Sequence, residues 1–124
     1  MKKVLVADDE ELIRLSMFRY LTASGYTVDT VKNGKDLVRF IEGNTFDIVV
    51  TDFNMPEMNA IEVLAKIKEM GKTLPVIVTS ADFSEKTIEE SLSKGAFKCI
   101  NKPFHMSDML NVVNEATATT SVMP

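Results

Sequence analysis

The sequence has a single cysteine, few glycines and prolines, and no long apolar segment. With only Cys99, the chain cannot form an internal disulfide, so nothing indicates an oxidising compartment. The apolar run behind the N-terminus, residues 4–7, is too short for the hydrophobic region of a signal peptide. A membrane span needs about 18 consecutive apolar residues, and no stretch approaches that length. These absences favour a cytoplasmic protein that does not enter the membrane.

Positive charge is also scarce. Lys and Arg number 14 against 18 Asp and Glu, which gives a formal net charge of −4. A nucleic-acid-binding module normally carries a basic face, so we expect no direct contact with nucleic acid. The five glycines are isolated from one another, which excludes the two glycine-rich phosphate-binding motifs G-x-x-x-x-G-K and G-x-G-x-x-G. At 124 residues, the chain has room for one domain with its own core.

Five short runs rich in β-branched residues recur at regular intervals and predict β-strands. They are residues 4–7, 26–31, 47–51, 75–79 and 97–100. Three of them are continuously apolar at their centres, and the run at 97–100 is apolar apart from Lys98; we interpret all four as parallel strands buried on both faces. The run at 26–31 alternates between apolar and polar residues, which indicates a strand nearer the edge of the sheet.

Segments with helical spacing lie between these runs, and their ends are marked. Asn33 and Ser84 are predicted N-caps. Left-handed C-cap residues are predicted at Gly25, Gly43, Gly71 and Gly95. Alternating strands and helices predict an α/β fold, a doubly wound (βα)₅ parallel sheet covered on both faces, over residues 1–116. Residues 117–124, rich in Thr and Ser, are interpreted as a flexible C-terminal tail or the start of a linker.

Polar side chains follow four of the five predicted strands. They are Asp8 and Asp9 after the first, Asp52 and Asn54 after the third, Ser80 and Asp82 after the fourth, and Lys102 after the fifth. The carboxyl ends of parallel strands meet at one edge of the sheet, where ligands of such sheets bind. The opposite ends of the predicted strands carry no comparable group of residues. We therefore expect the carboxylates of Asp8, Asp9 and Asp52 to converge with the hydroxyl and ammonium groups that follow the fourth and fifth strands, with Asn54 and Asp82 close by.

Each of these residues alone has a plain structural interpretation. The acidic run of residues 8–11, for example, favours the N-terminus of the first helix. Together they indicate a chemical site, because two carboxylates about 5 Å apart repel by about 3 kcal/mol at an effective dielectric of 20. Oxygen ligands suit a hard divalent cation, Mg²⁺ or Mn²⁺. A cation beside a lysine suits a phosphoryl group, and an aspartate can accept that group as an aspartyl phosphate.

Four segments in this order resemble the receiver domain of two-component response regulators, the CheY-like family. They are residues 4–10, 47–56, 78–81 and 95–104, within a resemblance that extends from about Lys3 to Val113. The resemblance implies the flavodoxin-like strand order 2-1-3-4-5. It also implies a phosphorelay switch with no substrate turnover beyond its own phosphorylation and dephosphorylation.

The resemblance implies a role for each residue of the predicted site. Asp52 would accept a phosphoryl group from the phosphohistidine of a sensor histidine kinase or a histidine phosphotransfer protein. Asp8, Asp9, Asp52 and the backbone carbonyl of Asn54 would bind the metal ion. Ser80 and Lys102 would contact the phosphoryl group, and Pro103 would follow a cis Lys–Pro bond. The surface of the fourth helix, fifth strand and fifth helix would then change for a downstream protein.

One position departs from the family pattern, and two others are candidates for an influence on the phosphoryl group. Cys99 stands where the family usually has a switch aromatic, and we interpret it as a small buried residue with no redox role. Phe97, two residues earlier, is expected on the same strand face. Asn54 and Asp82 follow the acceptor and the switch serine by two residues, which suggests an influence on the lifetime of the phosphoryl group.

Three other interpretations stay open from the sequence. The chain could be a receiver from a longer regulator with a separate output domain. A phosphotransferase of the haloacid-dehalogenase type also uses an aspartyl phosphate, but Asn54 stands where its motif needs a second aspartate. A receiver that serves only as a binding surface is disfavoured, because the acidic pair, acceptor, hydroxyl and lysine are all present. We expect a monomer or a weak, phosphorylation-dependent dimer.

Overall fold

A parallel β-sheet divides the molecule into two helical layers in the computed structural model. The structure describes residues 2–82 and 84–122, with side chains as far as residue 118. In chain order the elements are β1 (Lys3–Ala7), α1 (Glu11–Ala23), β2 (Thr27–Val31), α2 (Gly34–Gly43), β3 (Ile48–Asp52), α3 (Ala60–Glu69), β4 (Val76–Ser80), α4 (Glu85–Ser93), β5 (Lys98–Asn101) and α5 (Met106–Val122).

The strands lie in the order β2-β1-β3-β4-β5, and all four pairings are parallel. The predicted fold class and strand order are therefore confirmed. Alternate residues of β1 enter opposite cores: Leu5 packs in one cluster and Val4 and Val6 in the other. Because β1, β3 and β4 are buried on both faces, their sequences are continuously apolar at the centre.

The two edge strands differ in how well the sequence predicts them. β2 lies at an edge, as its alternating pattern indicates. The prediction that residues 97–100 form a strand buried on both faces is wrong. In β5, Lys98 and Asn101 are exposed, and Cys99 and Ile100 are half-buried, because this strand pairs with β4 alone.

The helix ends agree with most of the predicted caps. The side chain of Asn33 accepts a hydrogen bond from the Asp36 N–H, and that of Ser84 accepts one from the Thr87 N–H, so both N-caps are confirmed. Three of the four predicted glycines have a positive φ, but Gly43 is the last residue of α2 and does not. There the chain leaves the helix in extended backbone at Asn44, whose side-chain amide donates to the Phe40 carbonyl.

The last helix extends further than the sequence indicates. α5 continues to Val122, through residues for which the sequence predicts a flexible tail, while residues 123 and 124 lie outside the described residues. Thr117 is buried, and its hydroxyl donates to the Val113 carbonyl over 3.0 Å. The Tyr26 hydroxyl lies 3.2 Å from Thr117 Oγ1 and also bonds Asn114. Tertiary contacts thus favour helix over the weak intrinsic propensity of this Thr-rich segment.

The division at residue 116 between a domain and a tail stays a prediction. Among the described residues, no helix is long and apolar enough to cross a bilayer.

Candidate functional site

Asp8 is the first residue beyond β1 and is fixed through both its backbone and its carboxylate. Its N–H donates to the Val31 carbonyl at the end of β2, over 3.2 Å. Its Oδ1 accepts from the Glu10 N–H over 2.9 Å, and its Oδ2 accepts from Lys102 Nζ over 2.8 Å. The residue is 2% exposed. A carboxylate this deeply buried needs these partners, because water cannot reach it.

Lys102 brings a positive charge between two buried carboxylates. The residue follows β5, and its N–H donates to the Ser80 carbonyl over 2.9 Å, which fixes it against the end of β4. Its Nζ lies 2.8 Å from Asp8 Oδ2, 3.3 Å from Asp52 Oδ2 and 3.5 Å from Glu10 Oε1. The Lys102 side chain is only 9% exposed, and the peptide bond to Pro103 is cis.

Asp52 is the last residue of β3, whereas the sequence predicts that the strand ends at Thr51 and that Asp52 follows it. Burial raises the pKa of its carboxyl, the Lys102 ammonium opposes that rise, and the charges of Asp8 and Asp9 add to it. For Lys102, burial lowers the pKa, but the contacts with Asp8 and Asp52 outweigh it and raise the pKa. Lys102 is therefore positively charged at neutral pH and partly neutralises the site.

Ser80 ends β4 at the same edge of the sheet and is buried. Its hydroxyl oxygen accepts a hydrogen bond from the Asp82 N–H over 3.1 Å, which orients the loop before α4. Its neighbour in β4, Thr79, is in register with Asp52 and accepts from the Phe53 N–H over 2.7 Å. The ends of β3 and β4 are thus held side by side.

The acidic run after β1 forms the densest group of carboxylates. One oxygen from each of Asp8, Asp9 and Glu10 lies within 4.8 Å of the other two. Asp9 and Glu10 are exposed, and Asn54 is exposed in the loop between β3 and α3. The sequence predicts Glu10 as a charge at the start of the first helix that also falls within the family pattern, and in the structure its Oε1 lies 3.5 Å from Lys102 Nζ. The unbroken acidic run was the signal that could have included it.

This donor set fits a hard divalent cation. All the side-chain oxygens in the cluster are carboxylate oxygens, which Mg²⁺ and Mn²⁺ prefer. Asp52 lies close enough for the Asp9 charge to raise its pKa, so a cation at Asp8 and Asp9 would also act on Asp52. The arrangement can hold a cation beside an aspartate and a lysine, as phosphoryl chemistry requires.

Comparison with known proteins decides the family. Residues 4–114 match the family model described as response regulator receiver domain. The chain belongs to this family. Receiver domains of response regulators act as phosphoryl-acceptor switches, are generally Mg²⁺-dependent and interact with histidine kinases.

The relatives of this receiver domain are longer regulators. It is 36% identical over 121 residues to the DNA-binding transcriptional regulator NtrC of Rhizobium meliloti, across 98% of this chain and 25% of that protein. The chain thus spans about a quarter of the length of that relative.

Solved receiver domains have the same fold. The receiver domain of the Francisella response regulator 1452 superposes with a TM-score of 0.92 at 29% identity, covering 97% of this chain and 99% of that one. The solution structure of the beryllofluoride-activated NtrC4 receiver domain dimer gives a TM-score of 0.90 at 33% identity, covering 96% and 98%.

Cys99 of this receiver domain faces the layer that contains α2 and α3. It packs against the cluster that includes Leu5 and Val78, and burial raises the pKa of its thiol while a hydrogen bond with Ser91 opposes the rise. Phe97 packs against the other cluster, so the expectation that both residues share a strand face is wrong. Phe97 precedes β5 and does not follow the alternation of that strand.

The loop from β3 to α3 is positioned by contacts that the sequence did not indicate. The Ala60 N–H donates to the Phe53 carbonyl over 2.9 Å and closes the loop. Its middle residue Glu57 has a φ of 71°, and Met58 packs against the start of α2. A Cβ at Gly34 would lie 2.7 Å from Met58 Cβ, so the loop approaches the helix where only glycine fits.

Proposed function

We propose that Asp52 of this receiver domain accepts a phosphoryl group from the phosphohistidine of a sensor histidine kinase or a histidine phosphotransfer protein. The observation that supports this most is the position of the Asp52 carboxylate. It is buried at the carboxyl end of β3, where its Oδ2 lies 3.3 Å from the Lys102 ammonium nitrogen, and Asp8 Oδ2 lies 2.8 Å from the same nitrogen. A nucleophile and a cationic group are thus held together before any ligand arrives.

The transfer balances with one bond made and one broken. A carboxylate oxygen of Asp52 attacks phosphorus, the phosphorus–nitrogen bond breaks, and its electron pair returns to the imidazole of the donor. Dephosphorylation is a separate hydrolysis: water attacks phosphorus, the bond between phosphorus and the Asp52 oxygen breaks, and the free carboxylate and inorganic phosphate are left, with the protons of the water passing to phosphate and solvent. The receiver turns over no other substrate in this proposal.

The surrounding residues have distinct tasks in this reaction. Lys102 moves its ammonium from the Asp8–Asp52 pair to the phosphoryl oxygens, and Ser80 donates its hydroxyl to another. Asp8, Asp9, Asp52 and the backbone carbonyl of Asn54 hold Mg²⁺ or Mn²⁺, which supplies positive charge to the phosphoryl oxygens when it is bound. Asn54 and Asp82, both exposed beside the site, are proposed to influence how readily water reaches the phosphoryl group.

The output of the switch is proposed to be the surface formed by α4, β5 and α5. The Lys102 N–H bonds the Ser80 carbonyl, so the loops after β4 and β5 are joined and move together when both side chains turn to the phosphoryl group. With Cys99 in place of an aromatic, the change is carried by these loops. The downstream partner is proposed to be an unidentified protein or an output domain in a longer regulator, and the similarity to NtrC supports the second possibility.

Location and assembly follow from the same role. We propose a cytoplasmic receiver that is a monomer or a weak dimer dependent on phosphorylation. The related NtrC4 receiver, solved as a beryllofluoride-activated dimer, supports the second form.

The test uses a small phosphoryl donor, phosphoramidate, with Mg²⁺ and intact-mass detection. We expect the wild type to gain one phosphoryl group and Asp52→Asn to gain none. Omission of Mg²⁺ with added chelator is expected to abolish the gain. Asp29→Asn is the matched control, because Asp29 is an aspartate on β2 that pairs with Lys3 away from the site.

Two results would contradict the proposal. Wild-type labelling that persists in Asp52→Asn would show that another residue is the acceptor. Steady release of phosphate from varied small substrates, without a labelled protein, would instead favour an enzyme of the haloacid-dehalogenase type.

A further inference from the structure

The β1–α1 loop, which carries the acidic cluster, is tied down by a residue that the proposed chemistry does not use. Arg14 lies in the first turns of α1, and its backbone N–H donates to the Glu10 carbonyl over 3.1 Å. Its side chain turns back along the helix, where Nη1 donates to the Asp8 carbonyl oxygen over 2.7 Å. The guanidinium therefore contacts the backbone of the residue whose carboxylate lies deepest in the site.

The Asp8 carbonyl needs such a partner because of its place in the fold. β1 ends at Ala7, which pairs with Val31 on one side and Thr51 on the other, so Asp8 lies just past both ladders. Its N–H still reaches the Val31 carbonyl, and Arg14 supplies a donor to its own carbonyl. A half-buried carbonyl left without a donor favours a different loop conformation.

The Arg14 guanidinium donates to a neutral carbonyl oxygen, although acidic residues lie close to it in the sequence. In the described part of the chain, no carboxylate oxygen lies within 4.0 Å of its guanidinium, even though Glu10 and Glu11 are four and three residues away. Arg14 thus does not neutralise the acidic run through a direct ion pair. Its contact is with the backbone of the loop, at the Asp8 carbonyl oxygen.

We infer that Arg14 is a positioning residue that holds the β1–α1 loop so that the Asp8 and Asp9 carboxylates stay aimed at one cation site. Without this hydrogen bond, the repelling carboxylates of Asp8, Asp9 and Glu10 separate by moving the loop, which disperses the donor set. Contacts outside the ligand shell commonly set metal affinity in this way. The inference rests on the proposed metal site.

A positioning role and a simple charge effect of Arg14 predict opposite changes in Mg²⁺ affinity when Arg14 is replaced. Arg14→Met keeps the apolar stem and removes both the donor and a positive charge near an acidic site. If Arg14 acted only through its charge, its removal would strengthen Mg²⁺ binding. If it acts by position, its removal weakens Mg²⁺ binding by about 10-fold, the lower end of what the loss of an outer contact costs in metal affinity.

The experiment is a Mg²⁺ titration of the whole chain, followed by backbone amide chemical shifts, with no phosphoryl donor present. We expect Arg14→Met to bind about 10-fold more weakly than the wild type, and Arg14→Lys, which keeps a donor, to recover most of that loss. Arg19→Met removes a positive charge from an exposed position of the same helix and is expected to bind at least as tightly as the wild type. Thermal unfolding without Mg²⁺ checks that all variants are folded at the titration temperature.

The outcomes separate this inference from the proposed function. Unchanged or tighter binding by folded Arg14→Met overturns the positioning role while leaving the metal site in place. Equal losses in Arg14→Met and Arg14→Lys also overturn it, because the donor would then be irrelevant. A wild type that binds no Mg²⁺ overturns the proposed metal site and, with it, this inference.

Discussion

The two ends of the sheet contain the same kind of ion pair in very different surroundings. Near the amino end, Lys3 Nζ lies 3.9 Å from Asp29 Oδ2, with side chains 34% and 41% exposed. At the carboxyl end, Lys102 Nζ lies 2.8 Å from Asp8 Oδ2, with side chains 9% and 3% exposed. Water solvates the first pair whether or not it forms, whereas the second pair has been removed from water.

This difference in burial is the reason that we place the candidate functional site at the carboxyl end of the sheet and not at the amino end. Burying several charges is costly, and a fold selected for stability alone has no reason to place two carboxylates around one ammonium. The groups at the carboxyl end are therefore the ones for which we propose a functional role, because buried and strongly interacting ionisable groups are typical of functional sites.

The largest effect is expected from removal of the buried ammonium. Lys102→Met leaves Asp8 and Asp52 without their shared cation and should lower the free energy of unfolding by about 3 kcal/mol at pH 7. Lys3→Met, at the exposed pair, should change it by less than about 1 kcal/mol. Urea unfolding followed by circular dichroism measures both changes. Equal losses of unfolding free energy in the two variants would contradict the proposed difference between the two ends of the sheet.

The second prediction compares two glycines at opposite ends of α2. Gly34 lies at the end near the site, where a Cβ meets Met58 at 2.7 Å, and Gly34→Ala should destabilise by about 2 kcal/mol through overpacking. At Gly43 a Cβ meets nothing within 4 Å, so Gly43→Ala should be neutral or stabilise by about 0.5 kcal/mol. Thermal unfolding of both variants is the measurement; a stable Gly34→Ala would show that the β3–α3 loop shifts freely.

The smallest effect concerns the pH dependence contributed by Asp52. Because the pKa of Asp52 is raised in the folded chain, the folded chain binds more protons than the unfolded chain between the ordinary carboxyl pKa of 3.8 and the raised pKa. Its contribution to stability therefore falls as pH increases through that window. Asp52→Asn should gain stability over the wild type at pH 7, and the gain should shrink toward pH 4. Urea midpoints across this range measure it, and a gain independent of pH would contradict the raised pKa.

Much of the fold could be read from the sequence, because burial on both faces demands continuous apolar runs. Each strand was located within about one residue, and the caps at Asn33 and Ser84 have local chemistry that needs no tertiary information. The capping box of Asn59 and Glu62 has the same kind of signal and was missed. The burial of β5 was misjudged although Lys98, inside the run of residues 97–100, is the sequence signal of an edge strand with one side open to solvent.

Less of the site could be predicted, because its contacts join distant parts of the chain. The edge of the sheet on which Asp8, Asp52 and Lys102 meet follows from strand polarity alone. The contacts of Lys102 with Asp8, Asp52 and Glu10 depend on side-chain directions that are set by packing. The hydrogen bond from Arg14 to the Asp8 carbonyl depends on them in the same way. The residue roles stay predictions, since they await the phosphorylation and titration experiments.

The contact between Asp8 and Lys102 also has a consequence for the order in which the protein forms. The two residues are 94 positions apart in sequence, so they meet only after the intervening strands have assembled. During synthesis the carboxylates emerge early and their ammonium partner emerges late. Until the last strand docks, the carboxylates of Asp8 and Asp52 therefore lack the ammonium that they share in the folded chain.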